Sequence, residues 1–296
     1  SPEPWLGNAH DVQRRPLRGL SAEDRLVYAE RLLQGRPRAQ DKRRDPAYGE
    51  LMTALAGHPL AMRLLLPRLE GDTPASLIKV LKGGGEGQGL SGGDALNRLD
   101  NLDACIAYSL SHLTQEQQVL LLTLPYFEGA VDVEVHRSFS SLDGCPAPFK
   151  GCSREAWLAL LNTSAQLGLL SPLPYGLYAI HPALPASLRS RWVAHYGDKA
   201  PALQEELQLK ILQAGAALGG WLYGQMSAGS AETAFGVLDL NHRSLGVWAG
   251  EALERGAYGL AQGIHQPLDR LAILQGVVAK SRVVACLVVL GHHCPS

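Results

Sequence analysis

The chain has 296 residues, 46% hydrophobic and 19% charged, with a formal net charge of −1. That length exceeds the reach of one hydrophobic core, so two or three modules of a folded, soluble protein are expected. The near-zero charge disfavours a nucleic-acid binder, which needs a strongly basic face, and no stretch reaches the roughly 20 apolar residues of a membrane span.

No charged and apolar leader follows Ser1, which leads to the expectation of a piece of a longer protein. Cys105, Cys145, Cys152, Cys286 and Cys294 form neither the close pairs of a zinc site nor a disulfide framework, so reduced thiols and a cytoplasmic location are expected. His292, His293 and Cys294 cluster at the end, but two adjacent imidazoles and a thiol fall short of a closed metal site.

In chain order, Ser21 with Asp24 three residues on is an N-terminal capping arrangement, and Leu26, Val27, Leu32 and Leu33 at helical spacing predict a helix over 22–33. Residues 36–44 are basic and polar and read as a solvated loop. Asp45-Pro46 is a cap with proline at the first helical position, Leu51, Met52 and Leu55 mark a buried stripe, and Gly57 stops the helix. Pro59 opens the next helix with Leu60, Leu64, Leu65 and Leu69, and Thr73-Pro74 opens a short one through Leu81. Together these make a four-helix bundle over 1–82.

Residues 83–93 contain seven glycines and read as a flexible linker. They lack the Gly-Lys-Ser/Thr ending and the preceding strand of a phosphate-cradling loop. From Asp94, Leu96, Leu99, Leu102, Ile106 and Leu110 share a helix face; Thr114 to Gln117 caps a second helix that ends before Pro125. A third helix starts at Ser153 with Trp157, Leu160 and Leu161 inside and closes at Gly168. Leu169-Leu170, a turn at 172–176 and Leu177 to Ile180 then read as a hairpin, followed by a helix from Pro182 to about Ala194. Three helices and a hairpin are the order of a winged-helix domain. Beyond His195 the pattern is helical, with Ala214 to Ala217, Gly219 and Gly220 among the large residues, as stacked helix pairs require. A clean 34-residue period is absent.

The expected fold is therefore mainly α: a four-helix bundle over 1–82, a glycine-rich linker over 83–93, a winged-helix domain with a small β-hairpin over 94–195, and an α-helical, tetratricopeptide-like repeat array over 196–296. A bundle bearing Gly57-His58-Pro59, a winged helix ending in Ile180-His181-Pro182, and helical repeats resemble the C-terminal half of the nucleotide-binding module of NB-ARC and other STAND ATPases, bacterial ones with repeat arms especially. The resemblance covers residues 1–195 by motif order and the repeats more loosely.

The resemblance implies ADP or ATP as cofactor, held with magnesium by an upstream P-loop domain. It also implies that Pro59 packs against the adenine and that His181 reaches the β-phosphate and holds the closed, ADP-bound form. Pro182 stands where the family has an aspartate, which puts any role of that acid in doubt. Gly57, His58, Pro59 and His181 are thus the candidate nucleotide-binding residues. A proline ring is flat and rigid, and an imidazole at a helix start can donate to a phosphate oxygen. Local explanations stand beside these roles, since proline is common at a first helical position and polar residues often cap helices.

No P-loop and no strand ending in paired acids occurs in the chain, so by itself it is expected to hydrolyse nothing. The leading expectation is a regulatory segment coupling nucleotide state to a helical sensor arm. Its partners would be the upstream nucleotide-binding domain, a protein bound through the repeats, and other copies in a nucleotide-dependent oligomer. The alternatives are a protein-interaction scaffold and a winged-helix transcription regulator. The latter is disfavoured because the helix at 154–167 carries one basic and one acidic residue, and the wing has neither Lys nor Arg. A hydrolase lacks a nucleophile in a recognisable setting such as Gly-x-Ser-x-Gly.

Overall fold

The computed structural model describes residues 19–83, 94–228 and 231–274. The glycine-rich segment at 84–93 and the terminal Cys286, His292, His293 and Cys294 lie outside the described residues. The fold is mainly helical with one small three-stranded antiparallel sheet. Contacts divide the chain into two compact units, Ser1–Cys105 and Ile106–Ser296, with the division inside one helix.

The first unit holds α1 (Ala22–Leu33), α2 (Pro37–Asp41), α3 (Pro46–Ala54), α4 (Pro59–Leu65) and α5 (Pro74–Gly83), and α6 (Asp94–Leu110) begins there. Local chemistry starts several of these. Ser21 Oγ accepts the Asp24 N–H, and Asp45 Oδ1 accepts the Ala47 N–H at 2.8 Å ahead of Pro46. Leu33, Leu51, Met62, Leu64, Leu65 and Leu69 are fully buried and form the core.

Two expectations change here. Residues 36–44 are not a solvated loop but α2 followed by a 3-10 turn over Lys42–Arg44, so five α-helices, not four, occupy residues 19–83. Tertiary contacts hold α2: Ala39 is fully buried with its N–H bonded to Glu70 Oε2, and Lys42 Nζ reaches the Asp72 carbonyl. A basic run gives no hint of such partners.

The second unit begins with the end of α6 and continues with α7 (Gln115–Leu121), β1 (Ala130–Asp132), α8 (Val133–Ser141), α9 (Arg154–Gln166), β2 (Leu170–Pro172), β3 (Leu177–Ile180) and α10 (Ala183–Tyr196). The sheet order is β1-β3-β2, with Val131 opposite Tyr178 and Ser171 opposite Ala179. The expected hairpin is present as β2 and β3. The sequence reading missed β1 and α8: a strand of three residues has no visible alternation, and it exists because β3 pairs with it. Thr114 closes a reciprocal capping box with Gln117 at the start of α7, and Ser153 caps α9.

Three long helices follow: α11 (Ala200–Ser227), α12 (Ala231–Glu254) and α13 (Tyr258–Leu274). They pack on one another through glycines. A Cβ at Gly219 would lie 2.2 Å from the Gly263 carbonyl oxygen, and one at Gly215 would lie 2.7 Å from the Trp248 indole. With 28 and 24 residues, α11 and α12 are longer than a 34-residue helix-turn-helix unit allows its pair. No helix among the described residues is long and apolar enough to cross a membrane.

Candidate functional site

The three candidates of the first unit form a tight turn. Ala56 and Gly57 have φ of +48° and +69°, and Leu20 N–H donates to the Gly57 carbonyl at 2.8 Å. A Cβ at Gly57 would lie 2.7 Å from the Leu20 carbonyl oxygen, so glycine is required there by both backbone conformation and space. His58 is the N-cap of α4, its Nδ1 accepting the Ala61 N–H at 3.4 Å, and burial holds its pKa below the ordinary histidine value. Pro59 at the first helical position is exposed. The hollow beside His58, lined by Leu55, Ala61, Leu81 and Leu102, measures about 10 Å³, space for a water and not for a purine. Among the described residues, Pro59 thus offers a nucleotide an exposed ring, and the hollow beside His58 is too small to enclose it.

His181 lies in the second unit, at the end of the central strand β3. Its Nδ1 accepts the Ala183 N–H at 3.2 Å and its carbonyl accepts the Leu184 N–H, so it braces the entry to α10 one residue before the N-cap, Pro182. Gly57, His58 and Pro59 are contiguous in one unit and His181 belongs to the other.

The second unit builds a polar seam that sequence reasoning did not find. Asp132 ends β1 and caps α8: Oδ1 accepts the Glu134 N–H at 2.8 Å, and Oδ2 accepts from Asn241 Nδ2 at 3.1 Å. Both side chains are buried, Asp132 at 3% exposure and Asn241 at 0%. Burial pushes the Asp132 carboxyl above the usual range, and the bonds from the Glu134 amide and Asn241 oppose that shift. Asn241, Ser244 and Trp248 follow one face of α12 at spacings of three and four. Ser244 Oγ accepts the Glu128 N–H at 2.9 Å, and Trp248 Nε1 donates to the Tyr126 carbonyl at 2.7 Å. Three side chains of one helix therefore bond the segment that leads into β1 and α8. The signal was present as polar residues on the apolar stripe of α12, but their partners lie more than 100 residues away.

Behind this seam His136 is fully buried, stacked on Phe127 at 4.7 Å and close to Trp157. Its Nδ1 lies 3.0 Å from the Asp132 carbonyl, which only accepts, so Nδ1 carries a hydrogen, and Nε2 lies 3.0 Å from Thr123 Oγ1, a hydroxyl that also donates to the Leu120 carbonyl at 2.8 Å. Burial lowers its pKa to about 4, which keeps the ring neutral at pH 7. It is a packed core histidine remote from solvent, unsuited to proton transfer with a substrate.

Burial pushes the Cys105 thiol up to about 12 and Cys145 to about 11, so neither is a nucleophile at neutral pH. Among the described residues no group of three His, Cys, Asp or Glu side chains could hold a metal ion. Arg154, the one basic residue of α9, is bonded through Nε to Glu134 Oε1 at 2.5 Å, which leaves this helix poorly equipped for a phosphate backbone.

No protein-family model matches the chain, and no curated protein or solved structure matches it.

Proposed function

We propose that this chain is the regulatory segment of a STAND or NB-ARC-type signalling ATPase. Its winged-helix part closes over ADP or ATP bound to an upstream P-loop domain and passes the nucleotide state to a helical arm. The order α7, β1, α8, α9, β2, β3 with β3 between the other two strands supports the winged-helix part of this reading. The observation that carries the reading is the seam of Asn241, Ser244 and Trp248 on the segment running into β1 and α8. Buried polar bonds of this kind permit little independent motion, so a displacement of the winged helix carries α12 with it. In this scheme Pro59 supplies an apolar ring to the base and His181 a hydrogen bond to a phosphate oxygen. Neither residue performs a chemical step, and magnesium belongs to the upstream domain.

The test is ADP retention by the full-length parent once the coding sequence upstream of Ser1 is recovered. Because His181 also braces the entry to α10, two variants are compared. His181→Asn keeps a side-chain acceptor for the Ala183 N–H and lacks the imidazole, and His181→Ala loses both. Faster ADP release in both variants is the expected result. Release unchanged in His181→Asn removes the phosphate role and leaves the brace, and an upstream sequence without a P-loop removes the ATPase reading altogether.

A protein-interaction scaffold is the second reading, favoured by one observation. Leu209, Val247 and Tyr258 on α11, α12 and α13 are 38%, 44% and 48% exposed, apolar surface of the sort that a protein partner covers. Retention of a binding partner by a chain without any upstream nucleotide domain would favour it.

A further inference from the structure

A cavity of about 520 Å³ opens in the second unit between α8, α11, α12 and the turn joining β2 to β3. That volume lies in the range of small-molecule sites. Its composition is specific: Ala214 and Ala217 form a floor of small side chains on α11, Val135 and Val237 line the sides, and Tyr175 and Trp221 supply aromatic walls.

The aromatic walls are held in place at a cost. Tyr175 has φ of +62°, a left-handed conformation that bulky residues seldom adopt, and it lies at the tip of the turn. Its ring rests on Gly236 of α12, where a Cβ would come 2.6 Å from the ring atoms. Trp221 is 46% exposed and Tyr175 51%, so two of the largest apolar side chains of the unit face an open hollow. A strained backbone, a glycine that admits the ring, and half-exposed aromatics beside a concave space are together more than an incidental surface groove.

The charges at the rim are already matched. Glu134 is bonded by Arg137 at 3.0 Å and by Arg154, and the Asp132 carboxyl is bonded by the Glu134 amide and Asn241. An ionic ligand would find its countercharge engaged, whereas aromatic faces and methyl groups suit a flat apolar one.

We propose that this cavity is a binding site for an uncharged, planar, largely apolar small molecule of two or three fused rings, held between Tyr175 and Trp221. The site is independent of the nucleotide reading. Because its walls come from the sheet-bearing part and from the long helices together, an occupant touches both.

The probe is 1-aminoanthracene, neutral at pH 7.5, titrated into the 296-residue chain and followed by its fluorescence. Saturable one-site binding is expected. Ala217→Trp and Thr233→Trp, each filling the cavity from an exposed position on a different helix, should weaken binding at least tenfold with thermal unfolding unchanged. Trp221→Ala should weaken it several-fold, Val193→Ala at a distant exposed apolar position should not, and anthracene-1-carboxylate should bind at least tenfold less tightly than the neutral probe. Non-saturable binding, wild-type affinity in the filled variants, or preference for the carboxylate would overturn the proposal. If one filled variant fails to fold, the other decides.

Discussion

Asn241 on α12 donates an Nδ2 hydrogen to Asp132 Oδ2 at 3.1 Å, joining two buried side chains 109 positions apart. The pair ties the N-cap of α8 to the middle of a long helix, so it bears on local structure and on tertiary packing at once. Asn241→Ala is expected to cost about 1–3 kcal/mol at neutral pH, because the Asp132 carboxylate keeps its burial and loses a donor. Loss of that donor raises the carboxyl pKa further, so the penalty should shrink as pH falls and the acid protonates. Urea unfolding at pH 7 and pH 4.5 checks both statements, and an equal penalty at the two pH values would contradict the second.

His136 supplies a pH dependence of defined sign. In the unfolded chain its pKa returns to about the usual 6.5, and in the folded state burial holds it at about 4. Between those values the unfolded state binds more protons, so the contribution is fully present above pH 6.5 and is lost as pH falls toward 4. About 2 kcal/mol is lost by pH 5. Asp132, raised by burial, acts in the opposite direction because the folded state takes up its proton first. His136→Phe keeps an aromatic ring against Phe127 and Trp157 and should remove the histidine part of the slope. Denaturant midpoints of both proteins from pH 4.5 to 8 provide the comparison.

Adjacent glycines of α11 should respond with opposite sign to one added methyl. At Gly219 the Cβ would meet the Gly263 carbonyl oxygen at 2.2 Å, a backbone atom that yields only if α13 moves, so Gly219→Ala should cost about 1–3 kcal/mol or more. At Gly220 nothing lies within 4 Å, so Gly220→Ala should stabilise by about 0.5–1 kcal/mol through helix propensity. Thermal melting points in opposite directions from wild type are the expected readout.

Gly57 and Pro59 are separable. Gly57→Ala places a Cβ against the Leu20 backbone at a positive φ and should destabilise the first unit by about 1–3 kcal/mol. Pro59→Ala removes an exposed ring from a first helical position and should change stability by less than about 1 kcal/mol. Its effect, if the nucleotide reading holds, appears in ADP retention by the full-length parent. A large loss of stability in Pro59→Ala would instead make Pro59 a packing residue.

Gly236→Ala tests the seating of Tyr175. The added methyl would occupy the place of the ring, which is half exposed and can swing outward, so the fold should survive with a stability change within about 1 kcal/mol. Binding of 1-aminoanthracene should weaken, since one aromatic wall is displaced. A crystal structure of the variant with Tyr175 unmoved would contradict the stated contact.

Elements with a local cause were legible in the residues alone. Ser21, Asp45 and Thr114 announced α1, α3 and α7 because a side-chain cap acts over two or three positions, and the turn at 172–176 announced the β2–β3 hairpin. The small residues of α11 announced close packing but not their partners. Candidate site residues were legible only as a motif order; in the fold His58 caps α4, and His181 bonds the Ala183 amide from the position before Pro182, the N-cap of α10.

What the sequence by itself determined is the helical character of the chain, most helix starts, one hairpin, and the balance of charge. Tertiary structure alone decided β1, α2, the Asp132–Asn241 bond and the cavity between Tyr175 and Trp221. Each of these depends on groups that meet from distant segments, and a hydrogen bond or a void between such segments has no period, cap or turn signal to give it away. A three-residue strand gains its stability from the neighbour that pairs with it, and a buried carboxylate from the amide that reaches it, so neither exists until the chain has closed on itself.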